Sequence, residues 1–252
     1  MVYTHDLKLC LARDEGSSPS SGTMHIEFES RLENPPEHAV VTNIIDKVSK
    51  YKSKGMDVRT MSLPFLFSIL TEEEKEYVDQ ILRLKPKSSS GAEFFGMNNM
   101  PDELVHVEGS VDNQVLPREV NEAFQKMNRQ MVSELQKNLV VCSGYRSPAY
   151  QIVVFLWNLR NKKFNLEEVL QSVALPGYSE HGHPDRQAID LMVEGGSAMP
   201  TSQSDFHLTP EYKWLTKNAA SFGFYESYTK DNELGVIYEP WHWHYEAPDS
   251  KK

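Results

Sequence analysis

Two short histidine-bearing segments constrain this chain more than any other feature. His181 and His183 lie in one, His242 and His244 in the other, four of the nine histidines in the sequence. Each segment brings a carboxylate. Asp190 follows His181 by nine positions, and Glu239 precedes His242 by three. Neutral imidazole and carboxylate are what zinc takes in a catalytic site, where three protein ligands leave a fourth position open. The rival reading is a set of histidines clustered without any metal, and composition alone does not separate the two. Asp190 adds one argument. It stands inside an apolar strand, AIDLMV, where a buried carboxylate without a partner costs several kcal/mol. A metal partner is the economical account, and a buried hydrogen-bonded aspartate is the alternative.

The rest of the chain sets the frame. Its 252 residues, 39% hydrophobic and 25% charged, suit one large or two small globular domains. A net charge of −10 argues against a sequence-independent hold on nucleic acid or an anionic membrane. No apolar run reaches the roughly 18 residues of a membrane span. The segment MVYTHDLKLCLARDEG lacks the basic leader and unbroken apolar stretch of a secretory signal. With Met1 taken as the start, the expected compartment is the cytoplasm. Two cysteines, Cys10 and Cys142, are too few for a disulfide framework, so Cys142 is expected as a reduced core thiol.

Residues 1–36 read as loosely structured, with a Gly/Ser/Pro tract from Glu15 to Gly22 and one short strand from Met24. Residues 37–86 read as helical. Val40, Val41, Ile44, Ile45 and Val48 recur at helical spacing, and Thr71 followed by three glutamates is an N-terminal cap for Thr71–Leu84. Lys87–Ser110 is turn-rich and expected as a loop or crossover. From about Leu116 the pattern predicts a long helix, a strand over Leu139–Cys142 and a helix opening at Ser147–Pro148. A short helix follows Asn165, with a capping box to Glu168, and then a strand over Ile189–Val193. A helix from Thr209 to about Ser221 precedes three late strands, near Phe224–Tyr228, Gly235–Glu239 and His242–Glu246. Helices come first and strands gather late, which is α+β and not an alternating parallel sheet. The division expected is residues 1–110, loop-rich then mainly helical and of unknown role, and residues 111–252, a domain carrying the chemistry.

Three words stand in order in the second half: SGYRSPAYQ (143–151), PGYSEH followed by AIDL (176–181 and 188–191), and YEPWHWHY (238–245). Together they resemble the zinc D,D-/L,D-carboxypeptidases of the LAS superfamily (lysostaphin-type, D-Ala-D-Ala metallopeptidase, sonic hedgehog), in the VanY-like branch known as peptidase family M15B. The resemblance runs from about Leu116 to Tyr245. It implies a small antiparallel sheet with flanking helices and one zinc ion held by His181, Asp190 and His242. It implies Glu239 as general base, Arg146 as the cation that receives a substrate carboxylate, and Gln151 as a helper beside it. The chain departs from the family pattern Ser-x-His-x-x-Gly-x-Ala-x-Asp between the first histidine and the aspartate. The stretch GHPDRQ is two residues longer than usual, and the pattern glycine is replaced near Arg186 and Gln187. His181 is favoured as ligand because loop insertions are cheap and PGYSEH then matches intact. His183, which keeps the usual separation from Asp190, is the alternative ligand. Arg186 reads either as a cation reaching the cleft or as a solvated loop charge.

The roles can be stated physically. A carboxylate three residues from a ligand can take a proton from water and pass it to a departing amine, and a surface ion pair is its plainer alternative. A guanidinium in the Gly-Tyr-Arg-Ser turn can grip a C-terminal carboxylate through two parallel hydrogen bonds. Ser143 and Tyr145 read equally as substrate donors or as structural residues. Trp241 reads as a wall of the cleft and Trp243 as core. The function implied is release of C-terminal D-alanine from peptidoglycan stem peptides. A cytoplasmic enzyme would act as an L,D-carboxypeptidase on tetrapeptides in murein recycling, because D,D-cleavage there would damage the cell's own precursors. D,D-cleavage of D-Ala-D-Ala ends is the alternative. A non-catalytic zinc-containing peptidoglycan-binding or signalling module, or a scaffold with a closed four-ligand zinc site, is the alternative of another class. The sequence leaves the oligomeric state open.

Overall fold

The computed structural model describes residues 38–86, 92–98, 100–195, 203–230, 232 and 236–247. The expected strand from Met24 and the Glu15–Gly22 tract lie outside them. Helix α1 (His38–Lys52) buries the five aliphatic residues expected from their spacing. Helix α2 (Leu63–Ile69) is capped by the Ser62 side chain, which accepts from the Phe65 amide. Helix α3 (Glu72–Arg83) opens on a complete capping box: Thr71 accepts from the Glu74 amide, and the Glu74 carboxylate accepts from the Thr71 amide. The same carboxylate takes Lys47 of α1 at 2.5 Å, so one buried glutamate both starts α3 and ties it to α1.

A two-stranded hairpin follows, β1 (Leu104–His106) with β2 (Val115–Pro117), antiparallel. Its first strand falls inside the segment expected to be a loop; three residues are too few for a hydrophobic alternation to show. Helix α4 (Arg118–Leu135) buries Val120, Phe124, Met127 and Met131. It leads into β3 (Leu139–Ser143), α5 (Pro148–Asn161), the single-turn-length α6 (Leu166–Leu170) and β4 (Ala188–Val193). Asn165 caps α6 by accepting from the Glu168 amide. Glu168 pairs instead with Lys162. Helix α7 (Pro210–Asn218) is shorter than expected: it tightens to a 3-10 turn over Ala219–Phe222 and stops at Gly223. Strands β5 (Phe224–Glu226) and β6 (His242–Tyr245) complete the elements. Residues 236–239, expected as part of a strand, are not in one.

The four-stranded sheet has the order β3-β4-β6-β5, every pair antiparallel. This is the α+β architecture expected, a small antiparallel sheet with flanking helices. Alternation along the strands divides their side chains. Ile189, Leu191, Trp243 and Tyr245 join Phe124, Met127 and Trp214 in one core. Asp190, His242 and His244 take the opposite parity and leave the sheet on the other face.

A second core lies around α5. That helix is apolar nearly all round, with Ile152, Val153, Phe155, Leu156 and Leu159 all buried, because it is covered on several sides. Residues 40–84 and 149–175 contribute to this one core. The division expected at residue 110 is therefore not a division of the core: α1, α2 and α3 pack directly on a helix of the second half. Ser147 makes the same link in polar terms. Its hydroxyl donates to the Met61 carbonyl at 2.7 Å and accepts from the Tyr150 amide, while its own amide donates to the Arg59 carbonyl. Cys142 on β3 is disulfide-bonded and not the reduced thiol expected. Among the described residues no helix is long and apolar enough to cross a membrane.

Candidate metal centre and active site

Three sequence segments converge on one buried point. His181 lies in a 3-10 turn (Glu180–Gly182), Asp190 on β4 and His242 at the start of β6. They are 2%, 5% and 3% exposed. One ligand atom from each lies within 4.8 Å of the other two. The register explains two of the three: Asp190 and His242 are directly opposite across β4 and β6, on the face away from the core. The His242 Nδ1 is 2.9 Å from Asp190 Oδ1, and the His181 Nε2 is 3.3 Å from Asp190 Oδ2.

The third arrives through the Gly144 turn. The His181 Nδ1 donates to the Gly144 carbonyl at 2.8 Å, and the His181 carbonyl accepts from the Arg146 amide at 2.8 Å. Those bonds fix the ring with Nε2 turned inward. Two glycines make the approach possible. A Cβ on Gly144 would stand 2.5 Å from the Val115 carbonyl oxygen, and one on Gly182 would stand 2.6 Å from that of Arg146.

His183 is not part of this group. Its Nδ1 accepts from the backbone amides of Asp185 and Arg186 at 3.1 and 3.0 Å, and its ring packs on Phe95. The imidazole closes the inserted loop as a turn acceptor, which leaves that nitrogen no lone pair for a metal. The structure thus brings His181, not the alternative His183, to Asp190 and His242.

Around the three lie charged groups of both signs. Glu239 is 2% exposed, with Oε2 3.9 Å from His242 Nδ1. Its amide donates to the Tyr228 carbonyl, and its carbonyl accepts from the His242 amide. This turn carries the carboxylate to the same side as the ligand nitrogen. The Arg146 guanidinium is buried, with one terminal nitrogen 3.9 Å from Asp190 Oδ2 and the other donating to Gln151 Oε1 at 3.1 Å. Gln151 in turn donates to the Ala174 carbonyl at 2.8 Å. It is a bracket for the guanidinium.

Ser143 sits opposite Asp190 where β3 bulges. With Arg146 it borders a cavity of about 480 Å³, enclosed on its other sides by Arg59, Asp57 and Asn113. None of the three metal-set residues lines that cavity.

Two expected substrate contacts do not reach the site. Tyr145 is fully buried, its hydroxyl donates to Met100 Sδ at 3.2 Å, and burial pushes that hydroxyl's pKa up to about 12. Trp241, expected as a wall of the cleft, is buried in the core beneath the sheet. It has the parity of Trp243 and Tyr245, and that parity faces inward.

One residue at the site, Glu180, carries no expected role from the sequence, whereas Tyr228 is expected to pack and does so. The Glu180 Oε2 is 3.0 Å from His242 Nε2, and its Oε1 is 2.9 Å from the Arg186 guanidinium. The Tyr228 ring lies 4.7 Å from that of His242. The one sequence signal for Glu180 is its place beside His181, and nothing in the pattern says that it reaches the other histidine.

The electrostatics follow from burial and pairing. Burial pushes His181 down to about 4, and the Arg146 cation works in the same direction, so the ring is neutral near pH 7. Burial pushes Asp190 up, but the two imidazoles facing it outweigh that and hold it well below the usual carboxylate range. Burial also opposes charge on His242, yet its bonds to Asp190 and Glu180 raise it to about 9. Burial raises Glu180, and His242 overrides it and holds the carboxyl at about 2. Without a metal, the two carboxylates facing His242 favour its imidazolium form.

These residues fit a divalent metal. Two imidazoles and a carboxylate are zinc's donor set. The His181 Nε2 is buried without a hydrogen-bond partner, which ordinarily costs about 1–3 kcal/mol. Both rings are fixed through the nitrogen that faces away from the cluster.

A buried His–Asp–His set with a carboxylate and a guanidinium beside it is a metallohydrolase type of site. The family model described as "VanY: D-alanyl-D-alanine carboxypeptidase" matches residues 113–248, and the chain belongs to that family. A D-alanyl-D-alanine carboxypeptidase of Enterococcus faecium is 27% identical over 224 residues, 87% of this chain and 62% of that protein. The chain therefore spans less than two thirds of that relative's length. The bifunctional D-Ala-D-Ala dipeptidase and carboxypeptidase VanXYC of Enterococcus gallinarum is 28% identical over 156 residues, 59% of this chain and 76% of that one. Among solved structures, the LD-carboxypeptidase LdcB is similar with a TM-score of 0.50 and 27% identity, covering 62% of this chain and 73% of that one.

Proposed function

We propose that this protein is a zinc carboxypeptidase that releases the C-terminal D-alanine of peptidoglycan stem peptides. The observation that carries the reading is the placement of buried Arg146 and buried Glu239 on the same His181–Asp190–His242 cluster. A carboxypeptidase needs both an anchor for a free carboxylate and a base at the metal, whereas a binding module or a closed structural zinc site needs neither.

Zinc held by His181, Asp190 and His242 would supply a Lewis acid that polarises the scissile carbonyl and acidifies water near neutral pH. Arg146, kept in place by Gln151, receives the terminal carboxylate and so sets which peptide bond lies at the cluster. Glu239 accepts the proton of the attacking water and returns it to the nitrogen of the leaving D-alanine. Burial of all these groups keeps bulk water from screening them.

D,D-cleavage is the form proposed first, since two curated relatives are described as acting on D-Ala-D-Ala. L,D-cleavage is the second reading, supported by the likeness to an LD-carboxypeptidase. The recycling role rests on a cytoplasmic location. The disulfide at Cys142 suits an oxidising compartment instead. The test is to incubate the purified protein with penta- and tetrapeptide stems and weigh the products, with Glu239→Gln as control. Loss of one D-alanine from the pentapeptide supports D,D-cleavage, and loss from the tetrapeptide supports L,D-cleavage. Zinc-loaded protein that leaves both stems intact overturns the reading.

A further inference from the structure

We infer that Glu180, clamped by Arg186 of the inserted loop, is a positioning residue that sets the tautomer and aim of the metal ligand His242. The inference rests on the proposed metal site and extends it to groups outside the ligand set. The His242 ring meets a carboxylate at each nitrogen: Asp190 Oδ1 at 2.9 Å from Nδ1 and Glu180 Oε2 at 3.0 Å from Nε2. Nδ1 is the nitrogen on the side of Asp190, which His181 Nε2 also faces, and of Glu239. A ring that ligates through Nδ1 must carry its proton on Nε2, and the Glu180 carboxylate is the acceptor for that proton. An anionic acceptor there fixes the ring's rotation and makes the ligating nitrogen more basic.

The two histidines thus solve the same problem by different means. His181 is oriented by a backbone carbonyl, that of Gly144. His242 is oriented by a side chain, which makes its contribution measurable.

Arg186 gives the arrangement its rigidity. Its guanidinium bonds the other oxygen of Glu180 at 2.9 Å and lies 3.5 Å from the His244 Nε2 and 3.8 Å from Glu246 Oε1. The loop that carries Arg186 is the stretch two residues longer than the family pattern, and the His183 ring closes it by accepting from the Arg186 amide. The insertion therefore has a physical use: it brings a cation to the far side of Glu180, where it holds the carboxylate against the pull of solvent. Arg186 is half exposed, so its own contribution is smaller than that of the buried hydrogen bond it supports. Tyr228 packs on the His242 ring and limits its tilt.

The test is zinc affinity, measured by competition with a chelating dye at fixed pH on the full chain, for wild type, Glu180→Ala, Glu180→Gln and Arg186→Ala. Metal-free melting curves run in parallel, and cobalt-substituted samples report ligand geometry through their visible absorption. Glu180→Ala is expected to weaken zinc binding about 10–100-fold and to change the cobalt spectrum. Glu180→Gln, whose amide oxygen still accepts from Nε2, is expected to lose less and to keep a spectrum close to wild type. Arg186→Ala is expected to lie between wild type and Glu180→Ala. If Glu180→Ala does not fold, the isosteric Glu180→Gln and the surface change Arg186→Ala decide. Variants that hold zinc within twofold of wild type, with unchanged cobalt spectra, overturn the role of Glu180 and leave the metal site standing. Wild-type protein that binds no zinc overturns the reading beneath it.

Discussion

Asp190 and His242 stand directly opposite each other on β4 and β6, on the face of the sheet turned away from the core. Cross-strand neighbours on one face are about 5 Å apart at Cβ, so the sheet alone brings two ligand groups together. Only His181 has to be delivered by a loop. Precision at this site is therefore a property of strand register: a one-residue slip of β6 would turn His242 into the core and Trp243 out of it.

The base assignment makes a separable prediction. Glu239→Gln keeps the shape of the buried side chain and removes its ability to take a proton. Turnover of the stem peptide is expected to fall on the order of 10²–10⁴-fold, with zinc content unchanged by elemental analysis. Loss of zinc together with activity would mean that Glu239 serves the metal and not the proton.

Arg146 is expected to matter through the substrate's free carboxylate. Arg146→Lys keeps the charge and loses the planar fork. A stem peptide ending in a free carboxylate is expected to lose about tenfold or more in kcat/KM, the value of a charge-assisted hydrogen bond. The same peptide with an amidated C-terminus is expected to be poor with wild type and hardly affected by the change. Equal losses on both peptides would remove the anchor role.

The Gly144 prediction concerns backbone. With a Cβ placed 2.5 Å from the Val115 oxygen, Gly144→Ala must shift β2 or the turn, and with it the carbonyl that orients His181. Reduced zinc affinity with a lowered melting temperature is expected. An alanine variant matching wild type in both measurements would show that the turn tolerates the shift.

Much of the fold is legible in the sequence. The stripe of α1, the Thr71 cap, the Ser147–Pro148 helix start and the strand AIDLMV follow from local periodicity and capping, which act within a few residues. The separation of the two histidine segments carried their chemistry but not their partners. Trp241 was misplaced because parity is fixed by the register of β6, and register is a relation between strands. Tyr145 sits in the same turn as Arg146, yet its hydroxyl bonds Met100, 45 positions away. Glu180 escaped for the same reason: its partner His242 is in the other segment. The hairpin strand at Leu104–His106 was too short for its alternation to show. The shared core of α1 with α5 needed the packing of two distant helices, which neither pattern records.

Acid should loosen the α1–α3 contact. Burial alone would raise the Glu74 carboxyl, but the Lys47 ammonium and the Thr71 amide outweigh it and lower it from 4.5. A depressed carboxylate contributes stability that is present above about its unfolded value and is lost as pH falls through the folded one. Melting temperature is expected to drop below about pH 4.5, and Glu74→Gln is expected to be less stable at neutral pH with a shallower acid slope. An identical slope in both proteins would place the acid sensitivity elsewhere.

The most direct measurement is a crystal structure of the zinc-loaded protein with anomalous data at the zinc edge. One peak is expected, bounded by His181 Nε2, an Asp190 carboxylate oxygen and His242 Nδ1, with His183 still bonded to the amides of its own loop. A peak on His183, or none within reach of Asp190 in fully loaded protein, would contradict the account.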